Sequence, residues 1–381
     1  MLKYNYNLSK NVIIILIDGG RLDRAKKFNT FKNLESNSIF FPNSITYAPY
    51  TTGAMHAVFS GCYGNRTGTD SYWHIYQFRK NQFLTLTEYL KQNGHYTFAD
   101  GHSELIIPKQ GFDEFNIHDE NKVDLIDHHS NLLSKMKDIE NKGKNFFLFL
   151  TYSNIHTGIM NNVLKVFNNF SKEYFENKYE NEKRYDELFK NADTYMEKIL
   201  QKINELEFDK NSIIVVLSDH GISLGEKFGE RAYGAFCYDY TIKTFCYIKS
   251  PEIEPKIIHQ QVRHVDIMPT ILDMLGISLS ENHENLDGIS LMPVIKGTIL
   301  DEHVAYSETG NPLDENAPPK EPNIHSIRTT NWKLIYNSYN NSKELYDLKT
   351  DPDENNNLIG KELEIEKILW NHLLKIKNKN F

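Results

Sequence analysis

Three apolar runs of one form constrain what this chain can fold into. NVIIILIDGGR starts at residue 11, NFFLFLTYSNIH at 145 and NSIIVVLSDHG at 211. Each is an unbroken series of apolar, largely β-branched or aromatic side chains that stops at polar residues. A strand wetted on one face alternates apolar with polar positions, so a run without alternation must be covered on both faces. Helical patterns separate the runs, in FLTLTEYLKQNG and from about Tyr174 to Leu206. That order predicts an α/β fold with a mostly parallel sheet sandwiched by helices. Sites in such sheets form beyond the carboxyl ends of the strands. Asp18, His156, Asp219 and His220, far apart in sequence, all fall at such ends.

The texture changes at about residue 311. NPLDENAPPKEPN is a boundary rich in Pro, Asn and acids. HSIRTTNWKLIYNS and KELYDL then alternate like antiparallel strands, and a helix from about Glu362 to Ile376 is expected to pack on them. The reading is a large domain over residues 1–310 and a small C-terminal α+β subdomain over 311–381. A chain of 381 residues, 40% hydrophobic and 12% aromatic, can fill both cores. A net charge of −8 disfavours a generic nucleic-acid binder, and NNFSKEYFENKYENEKR reads as a solvated helix face. The cysteines, Cys62, Cys237 and Cys246, form no CxxC pair, which suits a reducing compartment. MLKYNYNLSKN has no apolar signal core, and VIIILI is too short to span a bilayer. The expectation is a cytoplasmic protein without a membrane span.

Carboxylate and imidazole at strand ends suit a divalent metal. Asp18, Asp219 and His220, with an oxygen from the loop YAPYTTGAM, would make four ligands. That loop offers two hydroxyls, Thr51 and Thr52, just before the helical stretch AVFSG. A threonine there can cap the helix or, bound to a metal, lose its proton and act as a nucleophile. The free N–H groups of the helix start favour an anion, so the design suits a tetrahedral oxyanion ester.

At these residues the chain resembles the sulfatase branch of the alkaline phosphatase superfamily, over nearly its whole length and in order. The motifs are VIIILIDGGRLD, APYTTGAMHAVFSGCYGNRTG, LTEYLKQNGHYTFADGH with GFDEF, SNIHTG, IVVLSDHGISLGE, HVDIMPTILDMLGI, LDGISLMPVIKG and ELYDLKTDPDENNNL. The resemblance implies an alkaline-phosphatase-like sheet and an ester hydrolase. It places Thr51 at the nucleophile position and Asp18, Thr51, Asp219 and His220 around one divalent ion. It aligns His156 with the histidine that contacts the ester, His102 with a Gly-Lys-x-His segment, and Arg231, or its rival Lys227, with the cation that grips the anion. Arg21, Lys333, His264, Asp266 and Cys62 are expected to be structural, and His56 faces the site or lies on the following helix.

Three departures shape the functional expectation. Thr51 replaces the Cys or Ser that becomes formylglycine, with Gly53, Ala54 and Met55 in place of Pro, Ser and Arg. Gly19 replaces a second Asp, and His220 stands where many sulfatases have Asn. A threonine nucleophile resembles the phosphodiesterase, phosphonate-hydrolase-like and phosphoethanolamine-transferase relatives. Imidazole shifts the metal preference from Ca²⁺ toward Mn²⁺ or Zn²⁺, with Mg²⁺ still allowed. Tyr152, four residues before His156, cannot supply the carboxylate of a second metal pair, so one firmly bound ion is expected. The leading expectation is a hydrolase or transferase of phosphate or phosphonate esters through a phospho-threonine. The alternatives are a sulfatase without formylglycine and a non-catalytic sugar- or anion-binding protein. The implied partner is an anionic ester, possibly carbohydrate-linked; aromatics in SYWHIYQF and the loops between Thr157 and Tyr185 would shape its pocket.

Overall fold

The computed structural model describes residues 11–377 except 72, 73, 75, 164–171, 231, 282, 284 and 311–320. The predicted α/β architecture is present. Nine strands form the main sheet: β1 (Asn11–Ile17), β2 (Ile39–Ile45), β3 (Tyr96–Gly101), β4 (Glu114–Ile117), β5 (Phe146–Tyr152), β6 (Ser212–Leu217), β7 (Lys243–Lys249), β8 (Lys256–Ile257) and β9 (Val262–Arg263). Their spatial order is β4-β3-β5-β1-β6-β7-β2-β8, with β9 beside β2. All pairings are parallel except those of β7, which runs against both β6 and β2.

The three long apolar runs are the three central strands. β1 lies between β5 and β6, with Ile17 opposite Tyr152 and Leu16 opposite Leu217. Every residue of β1 is buried because its two faces feed different cores. Ile13, Ile15 and Ile17 join one core with the helices Leu125–Asn141 and Lys178–Glu205. Val12, Ile14 and Leu16 join the opposite core with the helices Thr51–Ser60 and Ile267–Met274. Period-two alternation thus splits one apolar run between two helical layers, each buried aliphatic side chain contributing roughly 1.5–3 kcal/mol. Because β5, β1 and β6 are parallel neighbours, their carboxyl ends emerge side by side.

The C-terminal part is a four-stranded antiparallel sheet, β10 (Ala305–Thr309), β11 (Ile324–Arg328), β12 (Trp332–Asn337) and β13 (Ser342–Asp347), with the Leu363–Lys377 helix packed on it. Its first strand precedes the expected boundary at 311, and residues 311–320 lie outside the described ones. The sheet packs on the main body through Tyr306 against Tyr47 and Tyr63. Buried Lys333 adds a polar tie, bonding Asp239 and Glu354 at 2.7 Å each. Among the described residues no helix is long and apolar enough to cross a membrane.

Candidate active site

Asp18 follows β1 and Asp219–His220 follow β6, so adjacency of those strands brings them together. Gly19 has φ +71°, a conformation glycine adopts without strain. That turn brings the Gly19 N–H to Oδ1 of Asp219 at 3.1 Å, which accounts for glycine where the resemblance implies a second Asp. Thr51 arrives from the other side as the first residue of the Thr51–Ser60 helix. Tyr50 takes the N-cap position, and the helix has no side-chain cap. The Thr51 hydroxyl instead lies 3.4 Å from both Asp18 Oδ2 and His220 Nε2. Gly53 permits this approach, because a Cβ there would meet Ala48 Cβ at 2.7 Å and the Tyr50 ring at 2.8 Å.

The donor set fits a cation. His220 Nε2 lies 3.6 Å from Asp18 Oδ1 and 3.5 Å from Asp219 Oδ2. Both of those carboxylate oxygens are buried without a hydrogen-bond partner. His220 Nδ1 donates to the Gly221 carbonyl at 2.9 Å, which leaves the Nε2 lone pair facing the carboxylates. Burial, then the neighbouring Asp219 and Glu120, push the Asp18 carboxyl well above the usual range. A divalent ion would reverse that repulsion. Asp18, Asp219 and His220 therefore form one candidate ligand group, and Asp18, His102 and His156 form a second that shares its carboxylate. The second group takes its carboxylate from Asp18 rather than from position 152.

His156 Nδ1 is 3.6 Å from Asp18 Oδ2, and its Nε2 is 2.6 Å from the Tyr233 hydroxyl. Burial, with His220 and His102 nearby, pushes His156 down to about 4, so it is neutral near pH 7. His102 stacks edge-on to His156 with centroids 6.1 Å apart. Its Nδ1 is 3.9 Å from Glu120, and burial lowers its pKa. Glu120 also accepts the Thr157 hydroxyl.

The structure thus assembles Asp18, Thr51, Asp219, His220, His156 and His102. Arg231 lies outside the described residues. Lys227, its rival, is placed elsewhere: its ammonium bonds the Glu354 carbonyl and lies 5.1 Å from the Tyr238 ring centroid. The lysine stem bridges to the C-terminal subdomain instead of reaching Thr51. Tyr233 and Glu120 were not read from the sequence. Tyr233 lies two residues beyond Arg231 in a segment whose sequence signal is its cations, where a phenol does not stand out; Glu120 sits in HDENKVD, one of several acids in a loop.

The residues expected to be structural have partners outside the site. Arg21 bonds the Ile222 carbonyl and Glu226, both at 2.7 Å. Asp266 holds Arg263, and His264 meets Thr244. Cys62 is buried with its Sγ 3.9 Å from Arg66 Nη1, and His56 is buried edge-on to Phe78. Of SYWHIYQF, residues 72, 73 and 75 lie outside the described residues, as do 164–171 of the expected pocket loops.

A family model described as Sulfatase matches residues 10–277, and one described as N-sulphoglucosamine sulphohydrolase, C-terminal, matches 230–379. Human Arylsulfatase K is 30% identical over 192 residues, covering 49% of this chain and 35% of that protein. For the first curated relatives the matched stretch spans 27% to 36% of their length. A solved 2-O GAG sulfatase has a TM-score of 0.77 at 17% identity, covering 97% of this chain and 93% of that one. A phosphonate monoester hydrolase from Silicibacter pomeroyi has a TM-score of 0.73 at 16% identity, covering 98% and 96%. These two likenesses establish the shared fold.

Proposed function

The chain belongs to the sulfatase family of the alkaline phosphatase superfamily, and from that premise we propose that it is a metal-dependent ester hydrolase or transferase with Thr51 as nucleophile, acting on phosphate or phosphonate esters. One observation carries the reading. The Thr51 hydroxyl stands at a helix start 3.4 Å from Asp18 and His220, beside two buried carboxylate oxygens that lack partners. A divalent cation held by Asp18, Thr51, Asp219 and His220, with Mn²⁺ or Zn²⁺ favoured by the imidazole, would acidify the hydroxyl and polarise the ester oxygen.

The residues then have distinct tasks. The N–H groups at the helix start orient the tetrahedral anion. Thr51 Oγ1 forms a bond to phosphorus as the bond to the leaving oxygen breaks. Thr51 gives up one proton and the leaving oxygen gains one, so the step is proton-neutral. Thr51 Oγ1, Asp18 Oδ2 and His156 Nδ1 follow one another at 3.4 and 3.6 Å. His156, neutral at rest and oriented by Tyr233, carries that proton to the leaving oxygen. Water, or an acceptor hydroxyl, then takes the phosphoryl group from Thr51.

Threonine cannot be converted to formylglycine, which favours phosphorus over sulfur. The family itself, and a solved neighbour bound to D-glucosamine-2-N,6-O-disulfate, keep a carbohydrate-linked sulfate ester as the second reading. An ester panel separates the two. Matched aryl phosphate, phosphodiester, phosphonate and sulfate esters are assayed on metal-stripped protein with single divalent cations added back. Cation-dependent turnover of phosphorus esters above sulfate supports the reading. Preference for sulfate, or inertness with every cation, overturns it.

A further inference from the structure

We propose that Asp100, His118, His128 and His129 form a second, structural metal site, taking a zinc-type cation and separate from the Thr51 centre. The four residues come from three segments: Asp100 from β3, His118 from just after β4, and His128 and His129 from the first turns of the Leu125–Asn141 helix. One ligand atom from each lies within 4.8 Å of all the others. Asp100 Oδ1 lies 2.6 Å from His118 Nδ1 and 3.1 Å from His129 Nε2, and Oδ2 lies 2.9 Å from His128 Nε2. With zinc–ligand bonds of about 2.05 Å, tetrahedral ligand atoms stand about 3.3 Å apart. The His128 and His129 contacts, at 2.9 and 3.1 Å, are within about 0.4 Å of that spacing, and the His118 contact, at 2.6 Å, is shorter and would open by roughly 0.7 Å around an ion.

Three imidazoles around one buried carboxylate are more than its hydrogen bonding needs, since hydroxyl or amide groups would serve. His129 Nδ1 meets the Tyr195 hydroxyl at 2.6 Å. A phenol both donates and accepts, so it suits His129 with Nε2–H pointing at Asp100 and equally with the Nε2 lone pair on an ion. Four protein ligands leave no open position, the mark of a structural rather than a catalytic zinc site. His128, with 29% of its side chain exposed while the other three are sealed, supplies the entry path. Asp18, Thr51, Asp219 and His220 are not part of this cluster, so it stands whether or not the proposed reaction does.

The test uses the full chain, stripped with chelator and reloaded with Zn²⁺ or Co²⁺ alone. Asp219→Asn empties the Thr51 centre, and His128→Ala removes the accessible ligand, with circular dichroism confirming the fold. The Asp219→Asn protein is expected to retain one zinc equivalent by elemental analysis, to gain thermal stability from zinc, and to show intense four-coordinate Co²⁺ bands. Adding His128→Ala is expected to abolish all three. The wild type should likewise hold one equivalent more than His128→Ala alone, a comparison that does not depend on the Asp219 variant folding. Loss of all zinc in Asp219→Asn, or equal zinc in each pair with and without His128, would overturn the proposal.

Discussion

The Thr51 hydroxyl oxygen lies 3.4 Å from Nε2 of the fully buried His220, although the two belong to separate elements of the fold. Thr51 rides on a helix start and His220 on the end of β6. Asp18 joins His220 because β1 and β6 are parallel neighbours, and Thr51 reaches both from the helix that follows β2. Removing the ion or one ligand should therefore leave the scaffold standing. Chelator treatment, and separately His220→Ala, are expected to lower turnover at least about a thousandfold while far-UV circular dichroism is unchanged. Full activity after verified metal removal would refute metal dependence.

Tyr233 orients His156 through a 2.6 Å hydrogen bond. Tyr233→Phe removes that bond and little volume. A net loss of about 1–1.5 kcal/mol corresponds to roughly tenfold in kcat/KM. Steady-state kinetics should show that loss with metal content and Tm near wild type. Unchanged kinetics would remove Tyr233 from the machinery.

His56 is a buried residue of the nucleophile helix itself, and burial pushes its pKa down to about 3 from 6.5. Between those values the unfolded chain binds a proton that the folded chain does not, so stability rises with pH there and falls as pH drops below about 6.5. At pH 5 the loss is about 2 kcal/mol. His56→Gln lacks that titration. Its stability gap to wild type in urea unfolding should narrow by about that amount from pH 8 to pH 5. A gap independent of pH would show that His56 titrates normally.

Lys333 tests how the C-terminal sheet is held. It is fully buried between Asp239 and Glu354, and Arg328 shares Asp239 at 2.8 Å. Lys333→Met strands Glu354 in the interior and should cost about 3–5 kcal/mol. Lys333→Met with Glu354→Gln should recover part of that loss, because no unpaired charge then remains. Additive losses in thermal unfolding would contradict the coupling.

The central sheet was legible because runs such as VIIILI have one physical solution, and the site's frame because Asp18, His156 and Asp219–His220 end such runs. Thr51 needed the family resemblance, since its own loop left capping and nucleophile readings open. Loop residues were poorly legible. Lys227 lies in a long segment without periodicity, so charge alone did not reveal that it reaches the Glu354 carbonyl rather than the site. Asp100 and His118 meet through the β3–β4 pairing, in which Asp100 stands opposite Asn116, a register that their separate segments do not encode locally.

The central claim is that Thr51 is the attacking group at a cation site. The most direct measurement is turnover of the preferred phosphorus ester by Thr51→Ala protein whose metal content has been verified. The account requires a loss of at least about 10⁴-fold with the ion still bound. Turnover comparable to wild type by that protein would contradict it.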